Sequence, residues 1–332
     1  ILAYSTNFNG KYEVRVRDLT SGQEESVLKG GYKVINQEVD EEIPLLAWKD
    51  NNTLGIINVD KAEYQLIMHD IGSGRSQKRS LGKITQVKDF QFHENGKTAI
   101  VSADSRGQND LFLLSLGKNS MRRITNDSYD DLNPEFIPGT NQIVFSSNRT
   151  NDTIKRETVK LDEIDANFNL FIMNMDSVTG VLTRVTNTLS HDIQPIPQDS
   201  SVIYYISDQK GIYNLYKYEI KTKLYNQISN FSKSIKQFDL NLKKGSMAYI
   251  MTNEREDQIY YQGNFNLNQN NFTPLTRRQE VQQALFISER IRQRRQRELE
   301  QLSDQQEDTV QITLVQPVDS VAVEAEEDEE LT

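Results

Sequence analysis

Trp48, Phe92 and Phe136 stand 44 residues apart, Ile196 follows after 60 and Leu240 after another 44, and each opens the same succession of four short strands. A period of that length marks a repeat architecture, in which each unit is too small to bury its own faces and must stack on its neighbours. The clearest unit begins with Pro134-Glu135-Phe136-Ile137-Pro138, turns at Gly139-Thr140-Asn141 and continues through residues 142–147. It resumes in the alternating run 168–176, turns again at 177–180 and closes with 181–187. Four strands joined by tight turns make one blade of a propeller.

The register is fixed a second way. Third strands centre on Val14, Leu66, Leu111, Leu170, Leu215 and Ile259, with apolar residues at every second position, as in Leu66/Met68, Leu111/Leu113 and Leu170/Ile172. That is the period of a half-buried strand. Six such centres predict six blades. Each second strand ends beside an Asp or Asn: Asn7, Asp60, Asp104, Asn148, Asp208 and Asn253. Asp and Asn bond their own backbone and start turns, so these six are predicted to end strands rather than to hold a ligand. Trp48, Phe92 and Phe136 are expected to be buried between blades.

The unit resembles the TolB-type propeller repeat, which is related to WD repeats. The resemblance is carried by Pro134-Glu135-Phe136, by Ile143-Val144-Phe145-Ser146-Ser147-Asn148-Arg149, by Leu170-Phe171-Ile172-Met173-Asn174-Met175-Asp176 and by Leu182-Thr183-Arg184-Val185-Thr186. It extends over about residues 1 to 278. The chain departs from the family's Ser-Pro-Asp-Gly turn, with Lys49-Asp50-Asn51-Asn52 in one blade and His93-Glu94-Asn95-Gly96 in the next. The resemblance implies an all-β fold, a six-bladed propeller of four-stranded antiparallel blades. It also implies a place in the bacterial cell envelope, in the periplasm or at the outer membrane, and protein partners there. TolB itself contacts the peptidoglycan-associated lipoprotein.

Composition supplies exclusions. The chain has no Cys, which rules out disulfides, thiolate chemistry and Cys-ligated zinc, and it has no apolar run long enough to suggest membrane insertion. Residues 1–5 align with a second strand, so the first blade is expected to lack its innermost strand and the parent chain to continue upstream. The alternating stretch 310–315 is a second candidate for that gap. Three regions are expected: a propeller over 1–278, a helix over 279–303 built from Gln, Glu, Arg and Leu, and a disordered acidic tail over 304–332. Arg290, Arg292, Arg294, Arg295 and Arg297 are interleaved with Glu289, Glu298 and Glu300, the pattern of a solvated helix face, and no nucleic-acid partner is expected.

Propeller topology sends the links between second and third strands, and those between blades, to one rim. Both large departures from the repeat length, 30–43 and 151–167, fall there, and long loops on a rigid scaffold are where binding is usually placed. Glu41, Glu42, Asp130, Asp131, Asp162, Glu163, Asp165 and Asp192 are the candidate binding residues of that rim, which on a chain of net charge −10 reads as an acidic face suited to a basic protein partner. No segment has the Asp-x-Asp-x-Asn-Gly spacing of a calcium loop, and no metal or cofactor is expected. His69, His93 and His191 are the chain's histidines, and there is no Gly-x-Ser-x-Gly elbow. The sequence therefore reads as a non-enzymatic protein-binding module. The alternative is the gating or substrate-filtering propeller of a peptidase whose catalytic domain lies outside this chain.

Overall fold

Six antiparallel sheets follow one another along the chain, each a simple meander in which consecutive strands pair. The computed structural model describes residues 1–33, 42–82, 84–105, 107–118, 120–155, 164, 166–177, 179–275 and 277–312. The first sheet holds β1 (Leu2–Phe8), β2 (Lys11–Arg17) and β3 (Glu24–Tyr32). The second holds β4 (Leu45–Trp48), β5 (Thr53–Asp60), β6 (Glu63–Asp70) and β7 (Ser76–Ser80), and the third β8 (Gln86–Phe92), β9 (Thr98–Asp104), β10 (Asn109–Ser115) and β11 (Ser120–Arg123). The fourth holds β12 (Asp131–Phe136), β13 (Gln142–Ser147), β14 (Asn169–Asn174) and β15 (Leu182–Arg184), and the fifth β16 (Asp192–Pro197), β17 (Val202–Ser207), β18 (Asn214–Glu219) and β19 (Leu224–Gln227). The sixth holds β20 (Ile235–Asn241), β21 (Ser246–Asn253) and β22 (Glu256–Gln262).

Six blades therefore form, and the third strands β2, β6, β10, β14 and β18 bury Val14, Leu66, Leu111, Leu170 and Leu215 completely. In the sixth blade the corresponding Ile259 is 37% exposed, because β22 is an edge. Among the described residues, four blades have four strands and two have three. In the first, no described strand pairs with the free side of β1. The sixth has no outer one among the described residues: after Gln262 the chain runs Gly263-Asn264-Phe265-Asn266-Leu267-Asn268, a composition poor in strand formers. Phe265 and Leu267 instead pack into the cluster between the last two blades, with the Phe265 amide donating to the Gly245 carbonyl at 2.7 Å.

Five apolar clusters lie between successive blades. Val14 and Val16 meet Leu54 and Ile56 between the first and second, Phe92 meets Ile57 and Leu66 between the second and third, and Phe145 meets Leu111 between the third and fourth. Val144 and Leu170 meet Tyr205 between the fourth and fifth, and Tyr204 and Leu215 meet Phe238 between the fifth and sixth. Among the described residues no such cluster joins the sixth blade to the first. Of the repeat's aromatic anchors, Phe92 is buried as expected, while Trp48 and Phe136 are only half-buried. Just past the end of β12 it is the next residue, Ile137, that is fully packed, while Phe136 lies against the edge of the His93 turn, ring centroids 4.6 Å apart.

The helix α1 (Arg277–Ile312) forms a separate unit and is longer than the sequence suggested. Val310, Gln311 and Ile312 belong to it, which removes 310–315 as a strand filling the first blade. Val281, Leu285, Ile287, Ile291 and Leu299 on it are all more than half exposed, and the Arg290 guanidinium lies 5.5 Å from the Phe286 ring. Residues 313–332, where the acidic tail was expected, lie outside the described residues.

Candidate functional site: the loop-bearing rim and the axial strands

The inner strands β8, β12, β16 and β20 each carry a register slip, at Val87/Asp89, Leu132/Glu135, Ile193/Ile196 and Ile235/Gln237. A bulge bends the strand and re-aims its side chains. Asn133 and Gln194 sit at the slips with φ of 50° and 52°, a conformation Asn tolerates and Gln rarely adopts. Both are tied to neighbouring blades. Asn133 donates to the Asp89 carboxylate at 3.1 Å and accepts from the Gln194 amide at 3.4 Å, and the Gln194 side chain donates to the Lys236 carbonyl at 2.8 Å. Gln91 donates to Glu135 at 3.0 Å.

Three carboxylates thus line the axial strands of three different blades. Asp89, Glu135 and Asp239 are all raised in pKa, first by burial, and Glu135 further by the charges of Asp89 and Asp239. Asp89 and Glu135 are half-buried and Asp239 keeps its contact with solvent, while the surrounding inner strands crowd all three. The sequence reading passed over this group although Glu135 and Asp239 both stand immediately before a repeat anchor, because Gln91 fills that place in the third blade and Asp89 stands three residues before Phe92. Among the described residues, no three carboxylate or imidazole groups converge as a metal site.

On the loop-bearing rim the aspartates divide into two kinds. Asp131 and Asp192, both offered as docking residues, are completely buried. Asp131 accepts from Arg149 at 2.6 Å, and the same guanidinium donates to Asp127 at 3.1 Å and to the Thr153 carbonyl at 3.1 Å. Arg149 is itself fully buried, among the rings of Tyr129, Phe145 and Phe171. Its partners keep it charged, while burial raises the Asp127 carboxyl. Asp192 accepts from Ser207 at 2.6 Å and Thr188 at 2.8 Å, and burial pushes its pKa up to about 6. A charge held this way stitches loops to strands and is not presented to a partner. Asp130 and Glu42 remain half-exposed, and Asp130 accepts from the Asn109 side chain at 2.8 Å. Glu41, Asp162, Glu163 and Asp165 lie outside the described residues.

The residues that end second strands are bound into turns and blade links. The Asp104 carboxylate accepts from the Gly107 amide at 2.8 Å, Asn148 from the Asp130 amide at 2.8 Å and Asp208 from the His191 amide at 2.8 Å. A second repeat motif escaped the sequence reading. Thr125, Thr186 and Ser229 each accept from the amide of Leu111, Leu170 or Leu215 at 2.8–2.9 Å and donate to Asp110, Asn169 or Asn214. Its signal was present as a polar residue before each third-strand Leu and a hydroxyl after each outer strand.

The histidines are held by packing. His69 is buried with Nδ1 at 2.8 Å from the Ser76 hydroxyl, the His93 Nδ1 accepts from the Asn95 amide at 3.0 Å, and the His191 ring stacks on Phe168. Among the described residues no helix is long and apolar enough to cross a membrane.

Six meandering sheets in succession, with inner strands laced to their neighbours, make a six-bladed β-propeller. No family model matches the chain. The Tol-Pal system protein TolB of Helicobacter hepaticus is 26% identical to it over 149 residues, which is 44% of this chain and 32% of that protein. TolB from Acinetobacter baumannii superposes with a TM-score of 0.59 at 15% identity, over 79% of this chain and 60% of that one. A structure assigned as TolB from Agrobacterium tumefaciens gives 0.56 at 14% identity, over 76% of this chain and 84% of that one. The chain thus spans about a third of the curated relative and three-fifths of the first structure. In fold it is a TolB-like propeller.

Proposed function

We propose that this chain is a protein-binding propeller of the bacterial cell envelope, docking partners at the loop-bearing rim. The observation that carries the reading is the sequence match to a Tol-Pal system protein over 149 residues, joined to the same fold in two TolB structures. The Tol-Pal name points to the periplasm and the outer membrane, and to protein partners. Within the rim, Glu42 and Asp130 are the described candidates for meeting a basic partner.

The test is binding of the purified cognate peptidoglycan-associated lipoprotein by calorimetry. Charge reversal at Glu42 and Asp130 is expected to weaken binding at least severalfold, and the wild-type affinity to fall as salt rises. Replacing 151–167 by a short turn would disturb the Thr153 and Asp152 contacts of Arg149 and Arg184, so the deletion is confined to 156–163. Unchanged affinity in both variants, with native circular dichroism, would move docking away from this rim.

A further inference from the structure

The rim opposite the long loops carries the short turns of each blade, and there the second and third blades open a cleft of about 520 Å³ between them. Strand order sets its layout from the inner strands outward. At the inner end stand Lys49, in the turn between β4 and β5, and Lys97, in the turn between β8 and β9. The Lys49 stem crosses Gly96, where a Cβ would lie 3.4 Å from Lys49 Cε and 3.8 Å from Nζ, so the two lysines share one end of the cleft. Midway, Met68 of β6 and Leu116 just after β10 supply an apolar floor. At the outer end stand Arg75, just before β7, and Arg79 within it. Gln77 and Arg79 lie opposite Met68 and Leu66, whose side chains pack toward the third blade, and cross-strand partners share a face. The Arg79 guanidinium donates through Nη1 to the Leu116 carbonyl, which fixes it across the gap between the blades and leaves its other N–H groups to the cleft.

Four cations and a single carboxylate thus line this cleft, on a chain whose net charge is −10. The carboxylate is already engaged: Asp70 accepts from the Ser73 amide and from the Ser73 hydroxyl at 2.7 Å each. Among the described residues no carboxylate pairs with Arg75, Arg79 or Lys97, and Lys49 reaches only Asp50, at 3.7 Å. Like charges gathered in a walled cleft focus their field on whatever enters it, so an anion is drawn there more strongly than to the same charges dispersed over a surface. We propose that this cleft binds a small organic bisphosphate, with one phosphate on Lys49 and Lys97, the other on Arg75 and Arg79, and the carbon body between them on Met68 and Leu116. Guanidinium groups meet a phosphate through parallel N–H donors, and ammonium groups hold it as point charges. The volume is that of a small-molecule site. This inference is independent of the rim reading, because it uses the opposite ends of the strands.

The probe is fructose-1,6-bisphosphate, titrated into the full chain by calorimetry beside two comparisons, fructose-6-phosphate and phosphatidylglycerol vesicles. The bisphosphate should bind about tenfold more tightly than the monophosphate, which gives up the charge-assisted bonds of one end. Arg75→Gln and Lys97→Gln change exposed residues at opposite ends of the cleft. Each should weaken binding about tenfold at an unchanged melting temperature, and the double variant should bind more weakly than either. Lys78→Gln is the control for charge alone. Lys78 belongs to the same strand but lies opposite Ile67, on the face turned to the first blade, so its loss should leave the affinity unchanged. The proposal is overturned if the bisphosphate does not bind, if it binds no better than the monophosphate, or if Arg75→Gln and Lys97→Gln leave binding intact. It is equally overturned if Lys78→Gln weakens binding as much as Arg75→Gln, which would make the attraction one of overall charge. Capture of the chain by the vesicles without uptake of the soluble bisphosphate would also overturn it, and would assign the basic cleft to a lipid surface.

Discussion

Arg149 shows how far a single residue's role departs from its appearance in sequence. In the string Ser147-Asn148-Arg149 it reads as a surface charge after a strand, yet its guanidinium is fully enclosed and holds Asp127 and Asp131 together. Removing one member of a buried ion network leaves the others charged and unpaired, so Arg149→Met should cost about 3–5 kcal/mol in urea unfolding. Asp131→Asn should cost less, because Asp127 still neutralises the arginine. Asp192 makes the matching statement about pH. Its folded pKa of about 6 exceeds the usual 3.8, so the folded chain holds this proton more tightly than the unfolded one. The resulting stability is present in full below about pH 4 and is lost as pH rises through 6, a contribution of up to about 3 kcal/mol for two pH units. Asp192→Asn, which cannot ionise, should therefore gain stability relative to the parent chain between pH 4 and pH 7. A difference between the two chains that does not move with pH would place the buried titration elsewhere.

At the scale of the element, the strands were legible and their closures were not. The third strands appear in sequence because alternation forces an apolar residue inward every second position, and Val14, Leu66, Leu111, Leu170 and Leu215 all reach zero exposure. The anchors were less legible. Periodicity marks where Trp48 and Phe136 fall in the repeat but not how deeply a neighbouring turn covers them. The bulges of the inner strands were invisible, since one extra residue in a short strand leaves no compositional trace. Two element-scale predictions follow from contacts. A Cβ on Gly55 of β5 would meet the Phe92 ring at 2.4 Å, so Gly55→Ala should destabilise the chain by about 1–3 kcal/mol, with the loss reduced in the Gly55→Ala/Phe92→Leu double variant. Thr186→Val removes an acceptor for the Leu170 amide and a donor to Asn169, both buried. It should cost about 1–3 kcal/mol, while Thr186→Ser, which keeps both bonds, should cost less than half as much in the same denaturant melts.

For the whole molecule, the distribution of apolar clusters sets how stability is shared. Blades joined one to the next behave as a linear array, in which each unit draws stability from its own sheet and its interfaces with neighbours. Second, third, fourth and fifth blades have an apolar interface on both sides, whereas the first and sixth have one each among the described residues, and each of these two has three described strands where the others have four. The terminal blades should then open before the centre does. Native-state hydrogen exchange is expected to find the slowest amides in β9, β13 and β17, and to find β1–β3 and β22 exchanging through openings of lower free energy. Mutations should sort the same way. Phe145→Ala, which empties a fully buried site between the third and fourth blades, should lower the main unfolding transition by about 3–5 kcal/mol. Val14→Ala in β2 should chiefly raise exchange in the first blade and shift that transition far less. If the two substitutions lowered a single transition in proportion to the volume removed, and exchange slowed uniformly around the ring, the blades would be closed into one cooperative unit by contacts stronger than the ion pairs of Arg15 with Glu13 and Glu24 on the first blade provide.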